Sequence, residues 1–198
     1  MRELVVVESV SLDGVLQSPA SPTEDPSRSF PYGGWLAPFS DEEVGAFLAG
    51  FMSKPFDLLL GRGTYDILAA YWPTAPEEAG SKPLNEATKY VASRGTPDLP
   101  WQRSVLLDGD VPAQVAALKQ TDGPELQVHG SPDLVGTLWQ AGLIDRLHLV
   151  ITPVVLGTGK RLFREPGTLR LVSSGTTSKG VTLATYEPAG PVVTGSML

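Results

Sequence analysis

The sequence predicts an α/β fold with a mostly parallel central sheet, and three observations indicate it. Short apolar runs rich in β-branched residues alternate with segments of helical period as far as residue 141, which is typical of parallel strands joined by helices. Beyond Gly142 the helical period stops, and the last three apolar runs predict an antiparallel end to the sheet. With 198 residues and a 41% hydrophobic content, the chain is long enough to bury the core of one domain.

The predicted elements follow one another closely, apart from one long loop. Strands are predicted at residues 4–10, 57–60, 89–92, 104–107, 126–129, 147–155, 169–173 and 181–186. Helices are predicted at residues 41–52, 64–71, 112–119 and 132–141. Residues 17–38 contain five prolines and form a long irregular loop, a type of segment that is often functional. We assign residues 1–188 to one domain and residues 189–198, which carry no charge, to a loose C-terminal tail.

Composition excludes several classes of function. The net charge of −7 disfavours nucleic acid or an anionic membrane as the main partner. The absence of cysteine excludes disulfides, thiolate nucleophiles, iron-sulfur clusters and cysteine-zinc sites, and the two histidines suggest no metal cluster. The apolar run at residues 4–7 is too short for a signal or transmembrane segment, so a cytoplasmic protein is expected.

The first helix begins with a pattern that has two interpretations. Ser40-Asp41-Glu42-Glu43 has the spacing of a capping box, in which Ser40 and Glu43 satisfy opposite backbone donors. Glu43 also precedes Phe47 by four residues, at the edge of the apolar stripe, so its carboxylate can face inward. The pattern leaves both a capping and a functional role open. In the preceding loop, Trp35 is a candidate stacking wall for a flat ring.

Two strand ends have the residues of an anion site. The strand at 57–60 runs into Gly61-Arg62-Gly63-Thr64, where a guanidinium fork and a hydroxyl stand at a helix start. A tight turn with a surface arginine is the alternative interpretation. The strand at 126–129 runs into Gly130-Ser131-Pro132, with a helix start that also favours anions. Asp133 in the first turn of that helix counts against a bound phosphate.

Familiar catalytic motifs are absent from the sequence. Residues 154–161 lack the first glycine and the final Ser or Thr of a phosphate loop, which excludes a nucleotide triphosphatase. No G-x-S-x-G elbow occurs, and a zinc deaminase site cannot be built without cysteine.

Six short motifs resemble, in their order and spacing, the dihydrofolate reductase-like superfamily. They are Ser11-Leu12-Asp13-Gly14, Gly61-Arg62-Gly63-Thr64-Tyr65, Val91-Ala92-Ser93, His129-Gly130-Ser131-Pro132-Asp133-Leu134, Gly142-Leu143-Ile144-Asp145 and Pro153-Val154-Val155-Leu156-Gly157-Thr158-Gly159. Within it, the chain is most similar to the C-terminal reductase domain of the bifunctional riboflavin-biosynthesis deaminase-reductase and its stand-alone relatives. The resemblance covers residues 4–188 and implies a three-layer sandwich.

The resemblance implies an NADPH-dependent oxidoreductase that transfers hydride to a small heterocyclic, carbonyl or imine substrate. The most specific activity that the resemblance implies is that of a 5-amino-6-(5-phosphoribosylamino)uracil reductase. The resemblance also implies a homodimer. A reductase with a different small substrate, or a non-catalytic ligand-binding module on the same fold, are the alternatives.

The resemblance also implies which residues bind the cofactor. Arg62 and Thr64, after Gly61, receive the 2′-phosphate end, and Ser93 and Arg94 close around the adenosine phosphate. Gly130, Ser131 and Leu134 resemble the turn and helix start that hold the pyrophosphate.

Substrate residues are implied in the same way. Ser11, Asp13 and Gly14 match the loop that flanks nicotinamide and substrate, and Asp13 and Glu43 are the catalytic candidates. Phe47 and Trp35 are expected to pack against the ring of the substrate. For a substrate phosphate, however, the loop at residues 17–38 offers only Arg28 as a cation.

Overall fold

The computed structural model describes residues 1–197 as one eight-stranded sheet flanked by helices. The strands are β1 (Leu4–Ser11), β2 (Phe56–Gly61), β3 (Lys89–Ala92), β4 (Ser104–Leu107), β5 (Glu125–Val128), β6 (Arg146–Thr152), β7 (Leu169–Thr176) and β8 (Thr182–Pro188). The α-helices are α1 (Glu42–Met52), α2 (Arg62–Ala69), α3 (Ser81–Glu86), α4 (Val111–Lys119) and α5 (Pro132–Gln140). Short 3₁₀ helices occupy Ser27–Ser29, Ala37–Phe39, Trp72–Thr74 and Glu77–Ala79.

The strand order confirms the predicted mostly parallel sheet with antiparallel C-terminal strands. The order is β4-β3-β2-β5-β1-β6-β8-β7. All pairs from β4 to β6 are parallel, and β8 is antiparallel to both β6 and β7. Because the carboxyl ends of parallel strands share one edge of the sheet, the turns after β2, β3 and β5 lie near one another.

Helices cover both faces of the sheet, so the fold has the three layers that were expected. Leu59 of β2 packs with residues of α4 and α5, whereas its neighbours Leu58 and Leu60 pack with residues of α2 and α3. Successive residues of a strand point to opposite faces, which places the two helix pairs on opposite sides. A third cluster joins Val44 of α1 to Val150 of β6.

The start of α1 differs from the prediction. Asp41, not Ser40, is the N-cap residue, and its Oδ1 accepts a hydrogen bond from the Val44 amide at 2.9 Å. The predicted capping box is therefore wrong. The Glu43 carboxylate instead accepts from the Ser178 amide at 3.1 Å, because the β7–β8 hairpin lies beside this end of the helix.

Two chain segments also differ from their predicted ends. Strand β6 ends at Thr152 rather than at residue 155, because Pro153 has no N–H to continue the ladder and the Val154 amide turns back to the Thr152 carbonyl. The first residues of the predicted loose tail are hydrogen-bonded. The Ala189 amide donates to the Thr168 carbonyl, and the Thr168 amide donates to Gly190.

A buried ion pair joins the start of the chain to β2. The Arg2 guanidinium contacts the Asp57 carboxylate, and the two residues are only 5% and 9% exposed. Asp57 also accepts from the Thr88 amide at 2.9 Å, and Arg2 donates to the Pro124 carbonyl at 2.6 Å. Loss of one partner of such a pair leaves the other charge buried and unpaired.

We expect Asp57→Ala to lower the free energy of unfolding by about 3–5 kcal/mol, because the Arg2 charge is left buried. Asp66→Ala is the matched control, since Asp66 pairs with Arg62 on an exposed helix surface, and we expect a change within about 0.5 kcal/mol. Chemical denaturation followed by tryptophan fluorescence measures both. Equal effects of the two substitutions would contradict a stabilising role for the buried pair.

Candidate functional site

A cavity of about 1160 Å³ opens at the carboxyl ends of the parallel strands. Gly61 at the end of β2, Ala92 at the end of β3 and Gly130 just after β5 all line it. Open α/β sheets bind ligands at this edge. The opposite wall consists of residues 16–18 and 24–28, from the long loop that follows β1. The volume exceeds the range of roughly 300–1,000 Å³ that is usual for one drug-sized ligand.

The structure brings together all eight residues for which the resemblance implied cofactor binding. Each of them lines this cavity: Gly61, Arg62, Thr64, Ser93, Arg94, Gly130, Ser131 and Leu134. They come from three separate turns, and more than 60 residues separate the first turn from the last. Their convergence gives the cavity one wall of backbone turns, hydroxyl groups and guanidinium groups.

The turns after β2 and β5 are joined by one serine hydroxyl. Ser131 Oγ accepts from the Gly61 amide at 2.8 Å and donates to Thr64 Oγ1 at 2.8 Å. A side chain at Gly61 would lie 2.8 Å from Ser131 Oγ, and one at Gly130 would lie 3.0 Å from Thr64. Gly130 also has a φ of +73°, which favours glycine. The two turns therefore approach as closely as they do because neither glycine has a Cβ.

The N-terminus of α5 faces the same cavity without a side-chain cap. Ser131 precedes the helix with a φ of 66° and gives its hydroxyl to the turn after β2, not to the helix amides. Such an uncapped start attracts anions. Asp133 would oppose them, but Arg164 donates to its carboxylate at 2.6 Å. The pairing offsets the negative charge that counted against this site in the sequence.

Cations outnumber acids among the residues that line the cavity, although the chain as a whole is acidic. The cations are Arg28, Arg62, Arg94, Lys160 and Arg164, and the acids are Glu24, Asp25 and Asp133. Lys160 pairs with Asp25 at 2.7 Å. Sequence patterns did not predict that Lys160 and Arg164 lie here, because they follow β6 and reach the site only through the tertiary fold. The excess positive charge favours an anionic ligand.

Ser11, Asp13 and Gly14 do not line the cavity and instead form a clamp on the segment after β6. The Asp13 carboxylate accepts from the amides of Leu156 at 3.0 Å and Gly157 at 2.9 Å, and from Ser11 Oγ at 2.7 Å. Burial alone would raise the pKa of Asp13, but these bonds and the Arg161 guanidinium outweigh it and hold the pKa well below its usual range. An ionised carboxylate with these partners is a poor proton donor.

Glu43, Phe47 and Trp35 also lie outside the residues that line the cavity. Glu43 is exposed and does not face inward, because the helix turns Val44 toward the core instead. Phe47 is half-buried and packs edge-to-face on Phe51 at 5.1 Å between ring centroids. Trp35 is buried, and its Nε1 donates to the Gln17 carbonyl at 2.8 Å, so it anchors the long loop.

A buried acid that the sequence analysis missed lies beside the Gly130 turn. Glu8, in β1, accepts a hydrogen bond from the Gly130 amide. Burial raises its pKa to about 8, the Gly130 bond opposes this, and the Glu24 carboxyl adds to it. Burial likewise raises the pKa of Glu24 on the cavity wall. The available signal was a single carboxyl inside the apolar run of the first strand.

The two histidines lie outside the residues that line the cavity. Burial lowers the pKa of His129 to about 4, and its ring nitrogen bonds to Gln127 Oε1 at 3.0 Å. Burial and the Arg146 charge lower the pKa of His148 to about 4, and its Nδ1 bonds to Thr185 Oγ1. Within residues 1–197, no group of three His, Asp or Glu side chains is arranged to hold a metal ion. None of the helices described is long and apolar enough to cross a membrane.

The strand order and the flanking helices give the chain a dihydrofolate reductase-like fold. About 94% of the chain superposes on solved structures with this fold. One is a candidate riboflavin biosynthesis protein of Shewanella sp. PV-4, with a TM-score of 0.71, 18% identity and coverage of 94% of this chain and 99% of that one. Another is dihydrofolate reductase of Enterococcus faecalis complexed with NADP(H), with a TM-score of 0.59, 15% identity and coverage of 94% and 96%.

Within this class, the chain belongs to the RibD C-terminal domain family, which it matches over residues 2–183. Its relatives include the uncharacterized protein YyaP of Bacillus subtilis, which is 27% identical over 193 residues, 94% of this chain and 95% of YyaP. Family and fold are therefore those of a reductase, as the sequence motifs indicated.

We expect Gly130→Ala to lower the free energy of unfolding by about 1–2 kcal/mol, because an L-residue is strained at this φ and its Cβ crowds Thr64. Gly136→Ala is the matched control within α5, where a Cβ meets nothing within 4 Å. There, replacement of a helical glycine is expected to stabilise by up to about 1 kcal/mol. Thermal and urea unfolding of the two variants measure the difference, and a shared sign would contradict the strained turn.

Proposed function

We propose that the chain is an NADPH-dependent reductase and that the strand-end cavity binds the dinucleotide. The observation that carries the proposal is the convergence of the three glycine- and hydroxyl-bearing turns on one cation-rich cavity. The absence of a Cβ at Gly61 and Gly130 lets the turns after β2 and β5 pack together at one wall of the cavity. The excess of cations around them suits the phosphates of the ligand. The residues present therefore fit this cofactor.

Each part of the cavity has a distinct role in this proposal. Arg62 and Arg94 bind the 2′-phosphate, beside the hydroxyl groups of Thr64 and Ser93. The uncapped first turn of α5, which includes Leu134, holds the pyrophosphate through backbone amides. When bound, NADPH supplies the hydride, and the protein positions it and excludes water.

The proposed substrate is a small heterocycle or a carbonyl or imine compound, and 5-amino-6-(5-phosphoribosylamino)uracil is the specific candidate. Family membership and the riboflavin-related structural neighbour support this choice. A second candidate function is a non-catalytic dinucleotide-binding module. It is favoured by the positions of Asp13 and Glu43, which the cavity does not include. Oxidation of NADPH in the presence of phosphorylated and unphosphorylated pyrimidines and simple carbonyl compounds distinguishes the two.

We expect the protein to bind NADPH more tightly than NADH, by about tenfold or more, because Arg62 adds a charged hydrogen bond to the 2′-phosphate. Arg62→Ala is expected to remove most of this preference while NADH affinity changes little. Arg170→Ala, on the exposed strand β7, is the control and leaves both affinities unchanged. Titrations followed by nicotinamide fluorescence measure these constants, and equal binding of both nucleotides to the unaltered protein would refute the role of Arg62.

The proposal extends to a homodimer with β7 at its interface. This strand forms one edge of the sheet and is exposed along nearly its whole length, with Leu171 and Val172 exposed by 52% and 47%. Unprotected apolar edge strands favour pairing with another chain. The bulge between Leu171 and Ser173 is the one irregularity in the pairing of β7 with β8.

Light scattering is expected to give a particle of twice the 21.0 kDa chain mass, and Leu171→Lys is expected to shift it toward the monomer, because a charge enters the apolar edge. Val105→Lys, on the opposite edge strand β4, is the control and leaves the dimer intact. A monomer at micromolar concentration would contradict this assignment.

A further inference from the structure

Glu8 interrupts the apolar row on the inner face of β1. Leu4, Val6 and Val10 belong to one core cluster, and Glu8 shares their face by the alternation of the strand. Glu8 is only 6% exposed and has no cationic partner among the described ion pairs. A buried carboxyl without a counter-charge is costly when ionised, so its position calls for a function or a compensating contact.

The compensating contact comes from the cavity wall. Backbone pairing of β1 with β5 ends at Val6 and Val128, while β1 continues beside β6 as far as Ser11. The strands β1 and β5 therefore separate just where Gly130 begins the turn. Its amide, which has no partner in the ladder, donates to the Glu8 carboxyl instead. Glu8 thus fixes the direction of a backbone group that lines the cavity.

The surroundings of Glu8 favour its neutral form near pH 7. Burial is the main cause of the raised pKa of about 8, and the negative charge of Glu24 adds to it. The other charged residues of the cavity are Asp25, Asp133 and the five cations named above, of which Lys160 and Arg164 pair with those two acids. Just after the adjoining strand β5, burial lowers the pKa of His129 to about 4. Glu8 and Glu24 are therefore the two acids here whose pKa is raised toward neutral pH.

We propose that neutral Glu8 is a positioning residue for the Gly130 turn, and that loss of its proton closes the cavity to anionic dinucleotides. This inference rests on the proposed cofactor site. The neutral carboxyl accepts a hydrogen bond from the Gly130 amide through one oxygen and adds no charge. The carboxylate would place a negative charge against the turn beside the N-terminus of α5, where the phosphates of the ligand are proposed to bind, and would repel them.

Dinucleotide binding should then depend on one proton. We expect the dissociation constants for both NADPH and NADH to be constant between about pH 6.5 and 7.5 and to rise about tenfold by about pH 9, as for an acid with a pKa near 8 that must be neutral to allow binding. Both nucleotides are needed because the 2′-phosphate of NADPH has its own titration near pH 6.

Glu8→Gln is the decisive variant, because the amide keeps an oxygen for the Gly130 N–H and cannot ionise. It is expected to bind both nucleotides as the unaltered protein does at pH 7 and to lose the rise at high pH. A purely structural role would predict a change in affinity that is the same at every pH. Glu24→Gln is the control, and it is expected to keep the rise but to shift it to lower pH, because the Glu24 carboxyl contributes to the raised pKa of Glu8.

The outcomes separate this inference from the proposed function. Binding that weakens above pH 8 in the unaltered protein but not in Glu8→Gln supports the inference. Three results would overturn the inference while the cofactor site stands. They are a dissociation constant that does not change with pH in the unaltered protein, a rise that persists in Glu8→Gln, and a rise that only Glu24→Gln abolishes. Failure of the unaltered protein to bind either nucleotide at pH 7 overturns the proposed function itself.

Discussion

The hydrogen-bonded junction of the turns after β2 and β5 is the constraint on which the candidate site depends. Ser131 Oγ links the Gly61 amide to Thr64, and thereby fixes the start of α2 against the start of α5. Each such bond contributes only about 1 kcal/mol, but a buried partner left unsatisfied costs more, which makes the geometry selective. The two glycines leave the space that lets the two turns pack together, so close contacts between these turns determine one wall of the cavity.

Electrostatics then make an acidic protein locally suitable for an anion. The cavity collects cations from four chain segments, and its acids Asp133 and Asp25 are each paired with one of these cations. Glu8 and Glu24 are the exceptions, and burial, not pairing, controls their charge. Charge at this site is thus set by where the chain buries its acids, a property that overall composition does not reveal.

The motif after β1 shows how one pattern can carry two kinds of information. Ser11, Asp13 and Gly14 helped to identify the fold from the sequence, yet in the structure they hold the segment after β6 in place. The same clamp brings Lys160 and Arg164 to the cavity, since the segment that carries them is tied to Asp13 by Arg161. These residues therefore act on the site at a distance, through the path of the backbone.

The sequence by itself determined the α/β class and the parallel direction of most strands, because both depend on periodicity. Local turn chemistry likewise placed Gly61, Arg62, Thr64, Gly130 and Ser131 at strand-to-helix junctions. Only the tertiary structure decided that Trp35 anchors a loop, that Glu43 faces solvent, and that Glu8 lies beneath a cavity wall. Those outcomes depend on contacts between residues far apart in the chain, such as Glu8 with Gly130. Local spacing has no information about such contacts, because burial and hydrogen-bond partners are set when the layers pack.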